Sequence, residues 1–302
     1  MALGLTALAP GPALAAFPAN INLSALDGTN GFRLSGVAAF DLSGRAVSTA
    51  GDVNGDGVDD VLIGALGADP NGDESGDSYV VFGGAGVGNG GNLELSALDG
   101  TNGFKLSGAA AGDFSGAAVS TAGDVNGDGI DDLLIGAYRA DPNGVTSGAS
   151  YVVFGGAGVG NGGNLELSAL DGTNGFRLSG VAAYDLSGRA VSTAGDVNGD
   201  GTDDILIGAS GAGPNGDGSG ASYVVFGGAG VGNGGNLELS ALDGTNGFRL
   251  SGVAASDVSG VAVSTAGDVN GDGVDDVLIG ALGADPNGDS SGASYVVFGG
   301  AG

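Results

Sequence analysis

The 302-residue chain contains no cysteine and no histidine, and only 7 of its residues are Lys or Arg. Without cysteine it can form no disulfide, and without either residue it has no thiolate or imidazole metal ligand. The same absences exclude Ser-His-Asp and Cys-His nucleophilic catalysis. Any metal ion in this protein must therefore be held by oxygen atoms.

Positive charge is scarce, because 7 basic residues stand against 35 acidic residues and leave a formal net charge of −28. A chain this acidic repels the phosphates of nucleic acids and acidic lipid headgroups. A folded domain with this imbalance also repels itself unless cations sit among its carboxylates. The charge therefore argues against a nucleic-acid partner and favours oxygen-rich cation sites.

Long apolar runs are also missing, because Gly, Asp or Ser interrupts each one within a few residues. We therefore expect no transmembrane segment. Residues 1–16 (MALGLTALAPGPALAA) are uncharged and apolar, and their A-x-A ending at Ala13 to Ala15 resembles a signal cleavage site, although the basic n-region is absent. We predict that residues 1–16 are a signal peptide, complete or truncated, and that residues 17–302 form the domain of a secreted or cell-surface protein.

Glycine, at 69 residues, is abundant enough to suggest disorder if it had no periodicity. The periodicity is strict, however. The string AGDVNGDG occurs four times, with its first Asp at 52, 124, 196 and 268, a constant step of 72 residues. The strings GTNGF and YVVFGGAG recur with the same step. A long fixed period is the sequence signature of a solenoid, an array or a propeller.

Each repeat is predicted to contain four short strands. In the first repeat they are residues 31–36 (GFRLSG), 45–50 (RAVSTA), 60–65 (DVLIGA) and 78–83 (SYVVFG), bounded by Gly, Asn, Asp and Pro clusters. Four such strands per repeat are typical of a propeller blade. The predicted fold class is all-β, a β-propeller of four-stranded antiparallel blades, with the glycine-rich residues 83–91 as an open crossing.

The order of the strands leaves two arrangements open. The chain begins with an outer GFRLSG strand that has no blade of its own, and it ends with a YVVFG strand whose blade lacks an outer strand. Pairing of these two strands would close a four-bladed ring and bury two sheet edges. The alternative is an open arc or partial propeller, which would be prone to self-association.

The loop of residues 52–60 reads D-x-N-x-D-G-x-D-D and predicts a calcium site. Side-chain oxygens at positions 1, 3, 5 and 9 and a backbone carbonyl at position 7 supply the hard oxygen ligands that calcium prefers, and the Gly at position 6 permits the turn. About four Ca²⁺ ions are expected, one for each copy of the loop. The predicted ligands are Asp52, Asn54, Asp56, Val58 and Asp60; Asp124, Asn126, Asp128, Ile130 and Asp132; Asp196, Asn198, Asp200, Thr202 and Asp204; and Asp268, Asn270, Asp272, Val274 and Asp276.

Two other interpretations of this loop fit less well. An EF-hand would need a Glu at position 12 and flanking helices, whereas position 12 here lies within the apolar DVLIGA strand. A metal-free Asx turn would crowd three carboxylates together at unfavourable energy. The loop is therefore predicted to tie a calcium-bound hairpin between two strands.

The stretch LSGRAVSTAGDVNGDGVDDVLIGAL followed by SYVVFGG resembles the FG-GAP repeats of integrin α-subunit propellers and their bacterial relatives. The resemblance covers about residues 20–302. Ser43-Gly44 stands where the family has Phe-Gly, and four repeats stand where integrin propellers have seven blades. The resemblance implies structural calcium in hairpins on one face of a propeller, with partners bound on the opposite face.

Differences between the four copies gather in two segments, one before the loop-entry strand and one after the apolar strand. Because antiparallel strands alternate in direction, both segments are expected at the end of the blade opposite the calcium hairpin. Loops that tolerate change would explain them, and so would a ligand-binding face, since aromatic residues and Arg are enriched in binding hot spots. The candidate ligand face comprises Phe40, Arg45, Tyr138, Arg139, Tyr184 and Arg189.

Three functions remain open from the sequence. The first is an extracellular binding or adhesion module with an unidentified protein or glycan ligand. The second is a structural surface repeat without a specific ligand. The third is a secreted hydrolase or its non-catalytic part, since paired carboxylates can carry out glycoside-type acid/base chemistry. Identical repetition of the acidic residues in every copy argues against an enzyme, because an active site is usually a single asymmetric constellation.

Overall fold

The computed structural model describes residues 19–300. The predicted signal peptide, residues 1–16, lies outside the described residues, so that interpretation stays a prediction. The fold is all-β, as predicted, and its helices are four 3-10 turns of three residues each, so no helix in residues 19–300 could cross a membrane. The turns are Leu23–Ala25, Leu95–Ala97, Leu167–Ala169 and Leu239–Ala241.

Nineteen strands account for most of the regular structure between residues 19 and 300. They are β1 (Arg33–Ser35), β2 (Ala46–Gly51), β3 (Asp60–Ala65), β4 (Asp77–Val81), β5 (Asn92–Glu94), β6 (Gly103–Ser107), β7 (Ala118–Gly123), β8 (Asp132–Ala137), β9 (Ala149–Val153), β10 (Asn164–Glu166), β11 (Gly175–Ser179), β12 (Ser187–Gly195), β13 (Asp204–Ala209), β14 (Ala221–Val225), β15 (Asn236–Glu238), β16 (Gly247–Ser251), β17 (Ser259–Gly267), β18 (Asp276–Ala281) and β19 (Ala293–Val297).

Three consecutive strands of each repeat form the main part of one antiparallel sheet, which we call a unit. Units 1 to 4 are built on β2–β4, β7–β9, β12–β14 and β17–β19. The outer strand of each of the first three units comes from the following repeat, because β4 pairs with β6, β9 with β11 and β14 with β16, all antiparallel. Sequence repeat and structural unit are therefore offset by one strand.

The glycine-rich crossing contains a strand that the sequence did not predict. The short segment NLE forms β5, β10 and β15, each of which runs parallel to a GFRLS or GFKLS strand in the same register. Its three residues alternate too briefly to give a periodic signal. The parallel pairing connects each outer strand to the segment that leads into the repeat after it.

The closed four-bladed ring is not what the described residues form. Strand β1 pairs with β5, and β19 pairs only with β18, so the two terminal strands do not meet. Unit 4 consequently has three strands. Of the two arrangements left open by the sequence, the structure has the open one.

Among the described residues, three hydrophobic clusters lie between successive units, and a fourth packs apolar residues of unit 1 such as Ile63 against Leu34 in β1 and Leu93 in β5. At the first joint, Leu62 and Val80 on unit 1 pack against Val119 and Ile135 on unit 2, and the outer-strand Phe104 joins the same cluster. Equivalent clusters join units 2 and 3 and units 3 and 4. The apolar strand of an inner unit is thus buried on both faces, which explains why DLLIGA and DILIGA have no polar alternation.

Asp77 is a buried carboxylate at a position where the other copies have Ala149, Ala221 and Ala293. Its Oδ2 accepts the Tyr79 hydroxyl at 3.2 Å and lies 3.8 Å from the Lys105 ammonium, while Oδ1 has no partner among the described residues. Burial raises the pKa of Asp77 to about 6 despite the Lys105 charge.

We expect Asp77→Ala to stabilise the protein at pH 7 by about 2 kcal/mol, because a raised carboxyl pKa penalises the charged folded state. The penalty is fully present above pH 6 and is lost as the pH falls toward 3.8, so the gain should disappear near pH 4. Urea unfolding of both proteins across this range measures it. The reciprocal Ala149→Asp should lose stability at pH 7. A gain from Asp77→Ala that did not depend on pH would contradict the argument.

Candidate functional site

The four acidic loops connect the first two strands of each unit, in the hairpin predicted from the sequence. In unit 1 the loop runs from the end of β2 to the start of β3, and a register shift between Thr49 and Gly51 opens the ladder just before it. Gly55 and Gly57 have φ of 76° and 87°, which lets the loop turn back within eight residues. The strand ends thus fix the position of the loop.

The predicted ligands at positions 1, 3 and 5 point into their own loop. The two carboxylate oxygens of Asp52 accept the amides of Asp56 and Gly57 at 2.9 and 2.8 Å. The side-chain oxygen of Asn54 also accepts the Asp56 amide, and Asp56 Oδ1 accepts the Val58 amide. Units 2 to 4 repeat this pattern. The side-chain oxygens at these three positions are therefore turned toward backbone amides of their own loop.

The position-9 aspartate is buried, unlike the other four predicted ligands of the loop. Asp60 Oδ2 accepts the Val53 amide at 3.1 Å, and its Oδ1 accepts the Gly83 amide at 2.8 Å. Burial raises the pKa of Asp60 to about 6, the two amides lower it, and the charges of Asp56 and Asp52 raise it again. The same balance raises the pKa of Asp132 and of Asp204 to about 7. Both carboxylate oxygens of Asp60 thus accept backbone amides, and one of these bonds joins the loop to Gly83, just after β4.

The donor set suits a hard cation, although the side chains are turned toward backbone amides. Within residues 19–300 no three acidic side chains converge closely enough to enclose a metal ion. The loop nevertheless contains carboxylate, amide and carbonyl oxygens. These are the ligand types that calcium prefers. The repulsion of Asp60 by Asp52 and Asp56 is a second feature that a divalent cation would relieve.

The position-8 aspartate, which was not among the predicted ligands, links neighbouring units. Asp131 of unit 2 accepts the amide of Asp52 in unit 1 at 2.9 Å, and Asp203 and Asp275 accept the amides of Asp124 and Asp196 in the same way. A second bond runs from the Gly156 amide to the Val53 carbonyl. Each acidic loop is thus held by the unit that follows it. No signal within one repeat reveals this, because the partners lie 79 residues apart.

The two variable segments lie together at the opposite end of each unit, as predicted. The Gly67 amide donates to the Asp41 carbonyl, and the Arg139 amide donates to the Asp113 carbonyl. Of the predicted ligand-face residues, Phe40, Arg45, Tyr184, Arg189 and Arg139 are exposed, and Tyr138 is half-buried.

One cluster on this surface includes a residue outside the predicted ligand face. The Arg139 guanidinium lies 4.5 Å from the centroid of the Phe114 ring and 5.8 Å from that of Tyr138. The two rings are themselves 6.0 Å apart. Phe114 belongs to the same variable segment, where the other copies have Leu42, Leu186 and Val258, and this difference between copies was the available signal.

Phe40 and Tyr184 occupy an unusual backbone conformation. Their φ angles are 70° and 69°, in the left-handed region, where unit 2 has Gly112 at 81°. Their side chains are 87% and 66% exposed, so no packing explains the choice of an aromatic residue there. A bulky residue in this conformation costs about 1 kcal/mol or more. Such strain at an exposed position is typical of functional surfaces.

These features define a class of protein: a tandem array of antiparallel β-sheets, each with an acidic hairpin loop at one end and variable loops at the other. The profile of the FG-GAP repeat family matches residues 43–81, 115–153, 187–225 and 259–297, together 156 of the 302 residues. The chain belongs to the FG-GAP repeat family.

The chain is also similar to integrin α-subunits. It is 32% identical to integrin alpha-PS2 of Drosophila melanogaster over 182 residues, which cover 59% of this chain and 11% of that protein. For integrin alpha-4 of Xenopus laevis the identity is 33% over 181 residues, covering 59% and 15%. For integrin alpha pat-2 of Caenorhabditis elegans it is 28% over 247 residues, covering 80% and 18%. The chain spans less than a fifth of the length of these relatives.

Proposed function

We propose that this protein is an extracellular ligand-binding or adhesion module, a β-propeller-type array that holds structural calcium in its acidic loops. The observation that carries the proposal is the pair of exposed aromatic side chains, Phe40 and Tyr184, in left-handed backbone. Strained backbone of this kind is typically retained where the surface is functional. The similarity to integrin α-subunits supports an adhesion role and a location at or beyond the cell surface.

The acidic loops and the variable loops have separate tasks in this proposal. Calcium would be held by Asp52, Asn54 and Asp56 with the Val58 carbonyl and Asp60, and by the same positions in the other copies. When bound, it neutralises the carboxylates and fixes the hairpin. The protein or glycan ligand binds at the opposite end, on Phe40, Tyr184 and the Phe114–Tyr138–Arg139 cluster.

The ligand surface is tested with the labelled protein on a glycan array and on immobilised extracellular-matrix proteins. We expect the double variant Phe40→Ser/Tyr184→Ser to lose binding, because it removes two aromatic anchors while keeping a residue type that unit 4 has at Ser256.

The matched variant Phe40→Gly/Tyr184→Gly should lose binding and gain about 1 kcal/mol of stability per site, because glycine accepts a positive φ without strain. Urea unfolding measures the gain. Full binding by both double variants would rule out this surface. Unchanged stability of the glycine variant would show that the backbone is not strained.

The calcium ligands are tested by Asp56→Ala, which removes the position-5 carboxylate of one loop. Isothermal titration calorimetry should count one site fewer than the four expected for the unmodified protein, because the three other loops keep all of their predicted ligands. Asp59→Ala, which removes a carboxylate of the same loop that is outside the ligand set, should leave the count at four. Four intact sites in the Asp56→Ala protein would show that the ligand assignment is wrong.

A further inference from the structure

Successive acidic loops touch each other at every joint between the units. We number the loops 1 to 4 after their units. The Asp131 carboxylate of loop 2 accepts the amide of Asp52, the position-1 residue of loop 1, at 2.9 Å. The other two joints have the same bond, from the Asp124 amide to Asp203 at 2.9 Å and from the Asp196 amide to Asp275 at 3.1 Å. Each later loop thus holds the backbone of a predicted calcium ligand in the loop before it.

The contact between two loops extends beyond this one bond. At the second and third joints the position-8 amide also donates to the position-1 carbonyl, at 3.2 Å in each case. At the first joint, a Cβ atom on Gly51 of loop 1 would overlap the Asp131 carboxylate. One on Gly55 would lie 3.2 Å from the side chain of Ile130 in loop 2. Neighbouring loops are therefore in close contact over several residues.

Asp131 also stands between two predicted ligands of its own loop. Ile130, whose carbonyl is at position 7, precedes it, and the position-9 Asp132 follows it. Calcium in loop 2 would fix both of these neighbours, and with them the direction of the Asp131 side chain. A carboxylate held in this way orients Asp52 and adds negative charge beside it, as outer partners of metal ligands commonly do. A loop that is already ordered loses less conformational freedom when it binds its own ion.

We propose that Asp131, Asp203 and Asp275 are positioning residues for the calcium site of the preceding loop, and that they couple calcium binding between neighbouring loops. The inference rests on the proposed calcium sites and adds a connection between them. Calcium in one loop raises the affinity of the loop before it, and loops that do not touch bind independently. Because coupling between two binding events is reciprocal, each loop favours binding in the loop after it by the same factor. Calcium binding along the array is therefore cooperative.

The positioning role is tested in the full chain with a single active loop. Asp128→Ala, Asp200→Ala and Asp272→Ala together remove the position-5 carboxylates of loops 2 to 4 and leave loop 1 active. In this background Asp131→Ala should weaken calcium binding by about tenfold, measured by isothermal titration calorimetry. Asp131→Asn, which keeps an acceptor oxygen, should recover part of the affinity.

The matched control is Asp203→Ala in the same single-loop protein. It removes the same side chain from a joint whose two loops are both inactive, so the affinity of loop 1 should not change. Circular dichroism checks that all of these variants keep the fold. Unchanged affinity in Asp131→Ala, an equal loss in Asp203→Ala, or no recovery in Asp131→Asn would overturn the positioning role.

The coupling is tested in two proteins that each keep two active loops. Asp200→Ala/Asp272→Ala leaves the neighbouring loops 1 and 2, and Asp128→Ala/Asp272→Ala leaves loops 1 and 3, with the same change in charge. In the first protein loop 1 should bind calcium about tenfold more tightly than it does alone, and Asp131→Ala should cancel the gain. In the second protein the affinity of loop 1 should equal that of the single-loop protein. Two ions bound independently by the neighbouring pair would overturn the coupling.

Failure of this inference and failure of the calcium sites give different results in calorimetry. An unmodified chain that binds no calcium would overturn the proposed sites and the coupling with them. An unmodified chain that binds four ions, with the affinity of loop 1 unchanged by Asp131→Ala, would leave the sites in place and overturn the inference alone.

Discussion

Calcium added to chelator-treated protein is expected to raise the melting temperature strongly. Four bound Ca²⁺ ions would bring the formal charge from −28 to −20. Binding to the folded state alone contributes about 2.7 kcal/mol per site at a hundredfold excess over Kd, or roughly 11 kcal/mol for four independent sites. Differential scanning calorimetry in chelator and in millimolar calcium measures the shift.

The control for this experiment separates binding from screening. Added salt also weakens repulsion among exposed carboxylates, so sodium chloride at matched ionic strength should give a smaller rise. Magnesium should do less than calcium, because it prefers a smaller octahedral shell and retains water. Equal melting temperatures in chelator and in calcium would remove calcium from the proposed function.

Gly208→Ala is expected to be among the most destabilising single substitutions in the chain. Gly208 lies in the central strand of unit 3, where a Cβ atom would overlap the Gly260 carbonyl oxygen of the next unit. Backbone cannot move aside as a flexible side chain can, so the joint between units 3 and 4 must open. We expect a loss of about 3 kcal/mol, measured by urea unfolding.

The matched control is Gly280→Ala, the same substitution in the same strand position of unit 4. Its methyl group meets only Ala262 at 3.5 Å within the described residues, so the fold of the single chain should tolerate it. Equal losses from the two substitutions would show that the glycine serves the strand itself rather than the joint.

The sequence predicted the strands and loops well because each is a local pattern repeated four times. The apolar run DVLIGA and the loop D-x-N-x-D-G-x-D-D lie where they were predicted, in β3 and its preceding hairpin. The parallel strand β5 escaped prediction because three residues of mixed polarity carry no period. The family was also evident from these local patterns, since the profile match includes the same segments.

Contacts between different repeats were harder to predict from the sequence. The role of Asp131 depends on an amide in the preceding unit, and one hydrogen bond to Asp60 comes from Gly83, 23 residues away. Closure of the ring could not be decided from the sequence, because an outer GFRLSG strand fits β19 of its own chain as well as β19 of another. The strained backbone at Phe40 could not be predicted either, because the residue type alone does not determine the φ angle.

All joints between the units use the same contacts, from the position-8 aspartate cap to the offset outer strand. Unequal recombination between two of the 72-residue repeats would therefore produce a gene with one repeat more or fewer, in which every joint already exists. Such a change alters the number of sheets in one genetic step and requires no new interface to evolve. The repeats are nearly identical, which makes recombination between them easy. The number of sheets in the array can therefore vary by inheritance and is not fixed by the fold.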